Sequence, residues 1–154
     1  MGFSTVTTHV ILFIAAISIA TGLLFGMKNF SDNAESTFKM KSDEYNNKIK
    51  TGIRIEVISH NNWTNTTNIY VKNTGQTKLD PAKFDIYIDG VRIPRNASNR
   101  TIEVIPDTDN VNIGILDPKE AVHIQVFGYL NKDITHEVTV TTQYETRDSD
   151  FFSP

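Results

Sequence analysis

Lys50-Thr51-Gly52-Ile53-Arg54-Ile55-Glu56-Val57 is where this chain changes from one kind of structure to another. Before it, apolar residues recur at helical intervals; after it, they alternate with polar ones at a period of two. A helix therefore comes first and strands follow.

Working back from this point, Phe30, Ala34, Phe38, Tyr45, Ile49 and Ile53 are spaced by four or seven, with Asp32, Glu35, Lys39, Lys41, Asp43, Glu44 and Lys48 between them. Residues 3–27 contain no Asp, Glu, Lys or Arg, and Val10 to Met27 is almost wholly apolar. A run of about 20 residues, rising ~1.5 Å each, matches the ~30 Å hydrocarbon core of a bilayer. No proline occurs before Pro81. One continuous helix is expected over residues 1–51, roughly 70 Å long, with 3–27 spanning a membrane and 28–51 forming an extramembrane stalk. The narrow stalk stripe suits a seam with another helix or one edge of the next domain. Gly52 is expected to end the helix in a left-handed conformation. A cleaved signal would need a basic start and an apolar core of only about 7 to 15 residues. The spine of a pilus-like filament is the closer competitor, because Ala15, Ala16, Ser18, Ala20, Thr21 and Gly22 let helices approach in either setting. A bilayer is the preferred reading.

Downstream, Ile53, Ile55 and Val57 alternate with Arg54 and Glu56, and Ile69-Tyr70-Val71-Lys72 follows a polar loop. Phe84, Ile86 and Ile88 lead into Asp89-Gly90, a two-residue hairpin signal that returns the chain through Val91-Arg92-Ile93 to Pro94. Further strands are expected at 101–105, 111–116, 121–129 and 137–144. Asp80-Pro81, Pro106-Asp107 and Asp117-Pro118 mark loops. About seven or eight short strands with regular turn signals indicate an all-β, immunoglobulin-like antiparallel sandwich over residues 52–145. The layout as a whole is α+β, with a pilin-like transmembrane helix followed by that sandwich. Residues 146–154 form a charged tail whose default is a frayed end; the alternative is that Phe151 and Phe152 dock on a partner or complete the core.

Beyond the apolar segment about 125 of the 154 residues remain, enough for one domain and one core. A net charge of −3 offers no basic field for nucleic acid, so that class is set aside. With no cysteine there is neither a disulfide framework nor a thiolate metal site. Among His9, His60, His123 and His136 no two are spaced i, i+4; His123 and His136 are expected to be solvated, and His9 to sit at a membrane interface or bond a neighbouring helix. Ser4 and Ser18 share the apolar helix with His9, which makes a Ser-His hydrolase site implausible. Asp107-Thr108-Asp109-Asn110 has calcium-ligand types but lacks the Gly and terminal Glu of an EF-hand loop. No catalytic residue, cofactor site or metal site is expected, and the chain is read as a non-enzyme.

The signal above background is Asn-x-Ser/Thr. It occurs at Asn62-Trp63-Thr64, Asn65-Thr66-Thr67, Asn96-Ala97-Ser98 and Asn99-Arg100-Thr101, all in predicted loops, and at Asn29-Phe30-Ser31 beside the apolar run. Asn62, Asn65, Asn96 and Asn99 are thus candidate N-glycosylation sites, the competing reading being plain polar turn chemistry. Two tandem pairs favour exposure outside the cell. Lys28, Lys39 and Lys41 argue the other way under the positive-inside rule; the sequons and the domain type are given precedence.

The opening Met1-Gly2-Phe3-Ser4, then Ile69-Tyr70-Val71-Lys72-Asn73-Thr74-Gly75, Leu79-Asp80-Pro81 and Ile88-Asp89-Gly90, resemble the archaellum (archaeal flagellum) accessory protein F family. The Tyr-Val-Lys-Asn-Thr-Gly segment is the most distinctive part and is shared with accessory protein G and archaellins. The resemblance implies a stator component of the motility apparatus, single-pass in the cell membrane, with its sandwich in the pseudoperiplasm. The implied partners are the surface-layer (S-layer) protein, accessory protein G and the membrane, with a homo-oligomer compatible and no nucleic acid. No binding residue transfers from the family. A filament subunit of the archaellin or pilin type, or accessory protein G, is the alternative. Archaellins and pilins carry a basic leader before Gly, whereas here Met1 alone precedes Gly2: either a leader was never present, the pattern of family F and the preferred reading, or the sequence is already mature. A membrane-bound solute-binding or sensor domain is a third class, for which the chain shows no ligand constellation.

Overall fold

The computed structural model describes the backbone of residues 3–154 and the side chains of residues 5–154. The chain divides into two units, Met1–Asp43 and Glu44–Pro154.

The described residues of the first unit are helical and belong to α1, Phe3–Lys50. Its apolar side chains, Leu12, Phe13, Ile19 and Leu24 among them, are exposed. The polar side chains inside this stretch turn back on their own helix: Ser18 Oγ donates to the Ile14 carbonyl at 2.9 Å and Thr21 Oγ1 to that of Ile17 at 2.8 Å. His9 Nδ1 lies 2.7 Å from the Thr5 carbonyl. Residues 5–27 therefore present almost nothing but hydrocarbon.

The second unit holds the end of α1 and eight strands: β1 Ile53–Asn61, β2 Thr66–Asn73, β3 Asp85–Ile88, β4 Val91–Arg92, β5 Arg100–Val104, β6 Ala121–Phe127, β7 His136–Thr141 and β8 Arg147–Phe152. They form two antiparallel four-stranded sheets, ordered β1-β2-β6-β5 and β4-β3-β7-β8. The alternation read from the sequence is what fills the space between them. Ile69 and Val71 from β2, Ile86 from β3, Val122 and Ile124 from β6, and Val138 and Val140 from β7 are completely buried. Phe84 and Leu79 close this core from outside the strands. The Asp89-Gly90 turn has positive φ at both residues, 51° and 77°, as a type I′ hairpin requires.

Four expectations need correction. Gly52 is not left-handed; positive φ among the described glycines is confined to Gly90 and Gly114, and Gly52 is small for another reason, given below. Val57 does not continue the inward row of Ile53 and Ile55, because a bulge between Ile55 and Val57 shifts the register and turns Val57 to solvent. Residues 111–116 are turns rather than a strand. Gly114 N–H donates to Asp109 Oδ2, Asn112 Nδ2 to Asp117 Oδ2 and Ile115 N–H to the Asn112 carbonyl, and these local bonds outcompete a ladder. Only Leu116 keeps a sheet-like bridge, to Leu79.

The fourth concerns the tail. Residues 147–152 form β8, paired along its length with β7 from Thr141↔Arg147 to His136↔Phe152. Phe152 is buried in the core while Phe151 faces out. Asp148 reaches across to β1, its Oδ2 accepting the Ile55 N–H at 2.7 Å. Burial of one Phe, about 1.5–3 kcal/mol, joins a full ladder and a cross-sheet bond in holding this end in place.

Candidate interaction surfaces

Two ends of the sandwich are built differently, and the distinctive Asn73-Thr74-Gly75 segment makes the first. Asn73 is fully buried at the end of β2, and its side chain is saturated. Nδ2 donates to the Thr77 and Leu116 carbonyls at 2.8 and 3.0 Å, and Oδ1 accepts the Gly75 N–H at 3.0 Å. The turn so shaped lies against the end of the helix. Thr74 and Gly75 N–H donate to the Gly52 carbonyl, and Gln76 N–H caps the Lys50 carbonyl at 2.8 Å. This satisfies a helix terminus that would otherwise leave carbonyls orphaned. A Cβ on Gly75 would overlap the Gly52 nitrogen and the Lys50 carbonyl. Gly52 in turn is small because Thr74 and Gly75 pass directly over it. Backbone is thus packed on backbone where helix becomes sheet. Outside this contact, Lys48 and Glu145 form an exposed ion pair, of small energetic consequence in water.

At the opposite end of the first sheet the sequon turns come together. Asn62 and Asn65 lie in the β1–β2 turn, and Asn96 and Asn99 in the turn before β5. Phe127 N–H donates to the Asn99 carbonyl and Gly128 N–H to the Asn65 carbonyl, so both turns converge on the end of β6. Asn62 and Asn96 are exposed, as are Thr64 and Ser98, the hydroxyl residues of their sequons. The other two differ. Asn65 has φ 48°, and its sequon hydroxyl residue, Thr67, is buried with Oγ1 3.0 Å from His60 Nδ1. Asn99 is half-buried, and Thr101 Oγ1 sits 3.2 Å from Gln125 Oε1. Asn29 lies within α1. Around this end Trp63 and Tyr129 are 96% and 77% exposed, an aromatic surface with nothing packed on it.

The expectation of a solvated His136 is wrong. Its side chain is buried, Nδ1 lies 2.6 Å from Asp89 Oδ2, and Nε2 lies 2.9 Å from the Asn131 carbonyl. Acceptors at both nitrogens call for a proton on each. The Asp89 hydrogen bond pulls the His136 pKa above its ordinary value, against the opposing effect of burial, with the Asn131 carbonyl adding to the rise. The same bond, with the Glu137 N–H, holds the Asp89 carboxyl below its ordinary range. The β3–β4 turn, the loop after β6 and the start of β7 are clasped by this one imidazole. Burial, then the His136 charge, push His60 down. His123 is half-buried, stacked on Tyr70 with ring centroids 4.6 Å apart and Nε2 3.0 Å from Asn68 Oδ1. The sequence signal available for His136 was the Asp-Gly turn, whose Asp side chain has to face some partner.

No cluster of three His, Cys, Asp or Glu side chains poised for a metal ion occurs among the described residues. In the Asp107–Asn110 loop, Thr108 Oγ1 donates to the Ile105 carbonyl, Asn110 N–H to Glu120 Oε1, and Asp109 Oδ2 accepts the Gly114 N–H. These groups brace the loop itself.

A long apolar-to-polar helix whose end is clamped by backbone contacts onto an immunoglobulin-like sandwich defines a class of helix-borne structural proteins. The chain belongs to the archaeal-type flagellin family, whose family model matches residues 2–152. It is 27% identical over 94 residues to a putative flagella-related protein F of Methanocaldococcus jannaschii, spanning 61% of this chain and 66% of that protein. It is 25% identical over 158 residues to an uncharacterized protein of Archaeoglobus fulgidus, spanning 99% and 97%. Two solved structures from Sulfolobus acidocaldarius share the fold. The archaellum periplasmic stator protein FlaG aligns with a TM-score of 0.54 at 19% identity, covering 66% of this chain and 99% of that one. The FlaF–FlaG stator complex gives 0.52 at 17% identity, covering 65% and 87%. The expected kinship with accessory protein F holds in these relatives, and the stator proteins share the fold. The Met1-Gly2 part of the resemblance lies outside the described residues.

Proposed function

We propose that this chain is a non-rotating, membrane-anchored component of the archaellum whose sandwich grips the surface layer outside the cell and works beside a protein G-like partner. The observation that carries the reading is the clamp at Asn73-Thr74-Gly75. A linker that transmits force needs the end of its helix held stiffly on the head, and within the second unit the last turn of α1 is held backbone on backbone. Residues 3–27 form the anchor, 28–51 the stalk and 52–145, completed by β8, the head. The apolar surface of the helix supports the anchor. The FlaF–FlaG complex of the fold relatives supports the partner.

The test is adhesion. The full chain, reconstituted in liposomes, is expected to bind purified surface-layer sheets saturably, with its head accessible to added protease. Absence of binding, or a protected head, overturns the reading. Family membership favours one alternative, a filament subunit; helix-dependent polymerisation without adhesion in the same preparation would establish it.

Asn62, Asn65, Asn96 and Asn99 are proposed as the glycan-bearing positions; Asn65 is exposed like Asn62 and Asn96, but the burial of its Thr67 and the half-burial of Asn99 rank them. Glycopeptide mass spectrometry on the chain from its native envelope is expected to find Asn62 and Asn96 occupied ahead of Asn65 and Asn99. Equal occupancy would mean that attachment precedes folding. An unmodified Asn62 and Asn96 would return the four residues to plain turn chemistry.

A further inference from the structure

We propose that Asp89-Gly90 is a site of backbone isomerisation, where this chain converts to isoaspartate with age, and that His136 is the positioning residue that keeps the conversion slow. Asp-Gly occurs once in the sequence, at this turn. In the reaction the Gly90 amide nitrogen attacks Asp89 Cγ. A new N–Cγ bond forms as a carboxyl C–O bond breaks, and the departing oxygen leaves as water, carrying the amide proton and the proton of the un-ionised carboxyl. Water then adds to the resulting succinimide. Addition at the Asp89 main-chain carbonyl breaks its bond to the Gly90 nitrogen and leaves the chain running through Cγ, with no net change in mass.

The turn is open to this attack. Gly90 is exposed, and a Cβ placed on it would meet nothing within 4 Å, so no side chain screens its nitrogen. The Asp89 side chain is 47% exposed. What opposes the reaction is the hold on the carboxyl. Oδ2 lies 2.6 Å from His136 Nδ1, Oδ1 accepts the Glu137 N–H at 3.0 Å, and the Asp89 N–H donates to the Glu137 carbonyl at 2.9 Å. Both oxygens are committed to β7, and the ring that holds one of them is buried. These bonds favour the ionised carboxyl, which has no hydroxyl to lose. Conversion therefore waits for the clasp to open.

The product does not rebuild the clasp. Isoaspartate adds a methylene to the main chain of a two-residue turn, and both ladder pairs of β4, Tyr87↔Arg92 and Ile88↔Val91, flank that turn. The free carboxylate moves from Cγ to the main-chain carbon. One conversion thus releases β4 and the clasp together, and the loss is permanent. The site belongs to the sandwich alone, so failure of surface-layer adhesion leaves it standing.

The groups facing the imidazole are the Asp89 carboxylate from the β3–β4 turn, the Asn131 carbonyl from the loop after β6 and the Phe152 ring of β8, its centroid 5.9 Å away. His60 of β1 is the other titratable side chain that feels the His136 charge. When the imidazole loses one proton, one of its two acceptors loses its donor, and the hold weakens.

The full-length chain in detergent micelles, incubated at constant temperature, is digested with an endoprotease that cleaves before Asp and not before isoaspartate, and the uncut fraction at Asp89 is followed by mass spectrometry. The folded chain is expected to convert about tenfold more slowly than the same chain in urea, because conversion requires local opening. His136→Gln should remove most of that protection at Asp89 and leave Asp148-Ser149, whose carboxyl is bonded to β1, unchanged. If the variant does not fold, the wild type supplies a second readout: the ratio of folded to unfolded rates at Asp89 should climb as pH rises through the elevated His136 value, and the ratio at Asp148 should stay level. Equal folded and unfolded rates at Asp89, a ratio flat with pH, a His136→Gln chain no faster than the wild type, or one equally accelerated at Asp148 overturns the proposal. A slower His136→Gln chain overturns it as well, because the imidazole would then be donating a proton to the departing oxygen.

Discussion

At the Gly52 end of the sandwich, backbone packs on backbone; at the end where the sequon turns converge, side chains meet solvent and one histidine does the holding. The first arrangement has a single geometry, because close-packed main chain cannot slide without losing its bonds. The second is held by turns and a proton-dependent clasp, and it leaves aromatic surface free. A tightly packed junction and a surface left free are thus segregated, as expected where rigid scaffold positions adaptable loops.

The contrast breaks most severely at Gly75. Gly75→Ala forces its new methyl group into the Gly52 and Lys50 backbone, an overpacking worth about 1–3 kcal/mol. Gly52→Ala is expected to cost less, since its nearest obstacle is the Thr74 hydroxyl at 3.0 Å, a side chain that can rotate away. Thermal unfolding of the two variants should rank them in that order, and amide exchange at Gln76 should accelerate most in Gly75→Ala. The reverse ranking would mean that the junction is looser than its packing implies. Asn73→Ala attacks the same junction through hydrogen bonds. It takes the Thr77 carbonyl's donor and one of the two partners of the Leu116 carbonyl and of the Gly75 N–H, with a cost of about 1–3 kcal/mol.

The other end should respond to pH instead. His136 binds its proton more tightly when folded, so its contribution is complete below the ordinary imidazole value of 6.5 and is lost as pH rises through the elevated folded value. Asp89 is shifted down, so its contribution is present above 3.8 and is lost as pH falls through the depressed folded value. The clasp is therefore strongest between about pH 4 and 6.5. His60 opposes it: with a lowered folded pKa, it costs stability as pH falls below 6.5. Urea midpoints measured against pH should show the alkaline decline in the wild type and not in His136→Gln, whose remaining slope near pH 6 belongs to His60. A His136→Gln profile parallel to the wild type above pH 6.5 would remove the clasp from the account.

What could be read in the sequence follows the same division. Period-two alternation named nearly every inward residue of β2, β3, β6 and β7, because burial on one face leaves that signature whatever the partner. The bulge after Ile55 was invisible, since a single slipped residue preserves composition while reversing the face. Val111, Ile113 and Ile115 imitate a strand, but the Asn, Asp and Gly residues between them bond locally. β8 has little alternation to read, its burial resting on Phe152. Asn73-Thr74-Gly75 stood out as a motif, yet its purpose appears only when the helix end lies beneath it. The convergence of the sequon turns on Phe127 and Gly128 is likewise a product of strand order, which no local pattern carries.

The smallest expected effect on stability tests the recognition end most sharply. Trp63 is 96% exposed and Tyr129 77%, so neither has packing to lose, and Trp63→Ser and Tyr129→Ser should each leave the unfolding free energy within about 0.5 kcal/mol. Large exposed aromatics are the residue type that dominates interfaces once desolvated. If the surface layer is gripped at this end, the double variant should keep its unfolding midpoint and lose most of its adhesion. Unchanged adhesion would move the grip to another face of the sandwich, away from the loop aromatics.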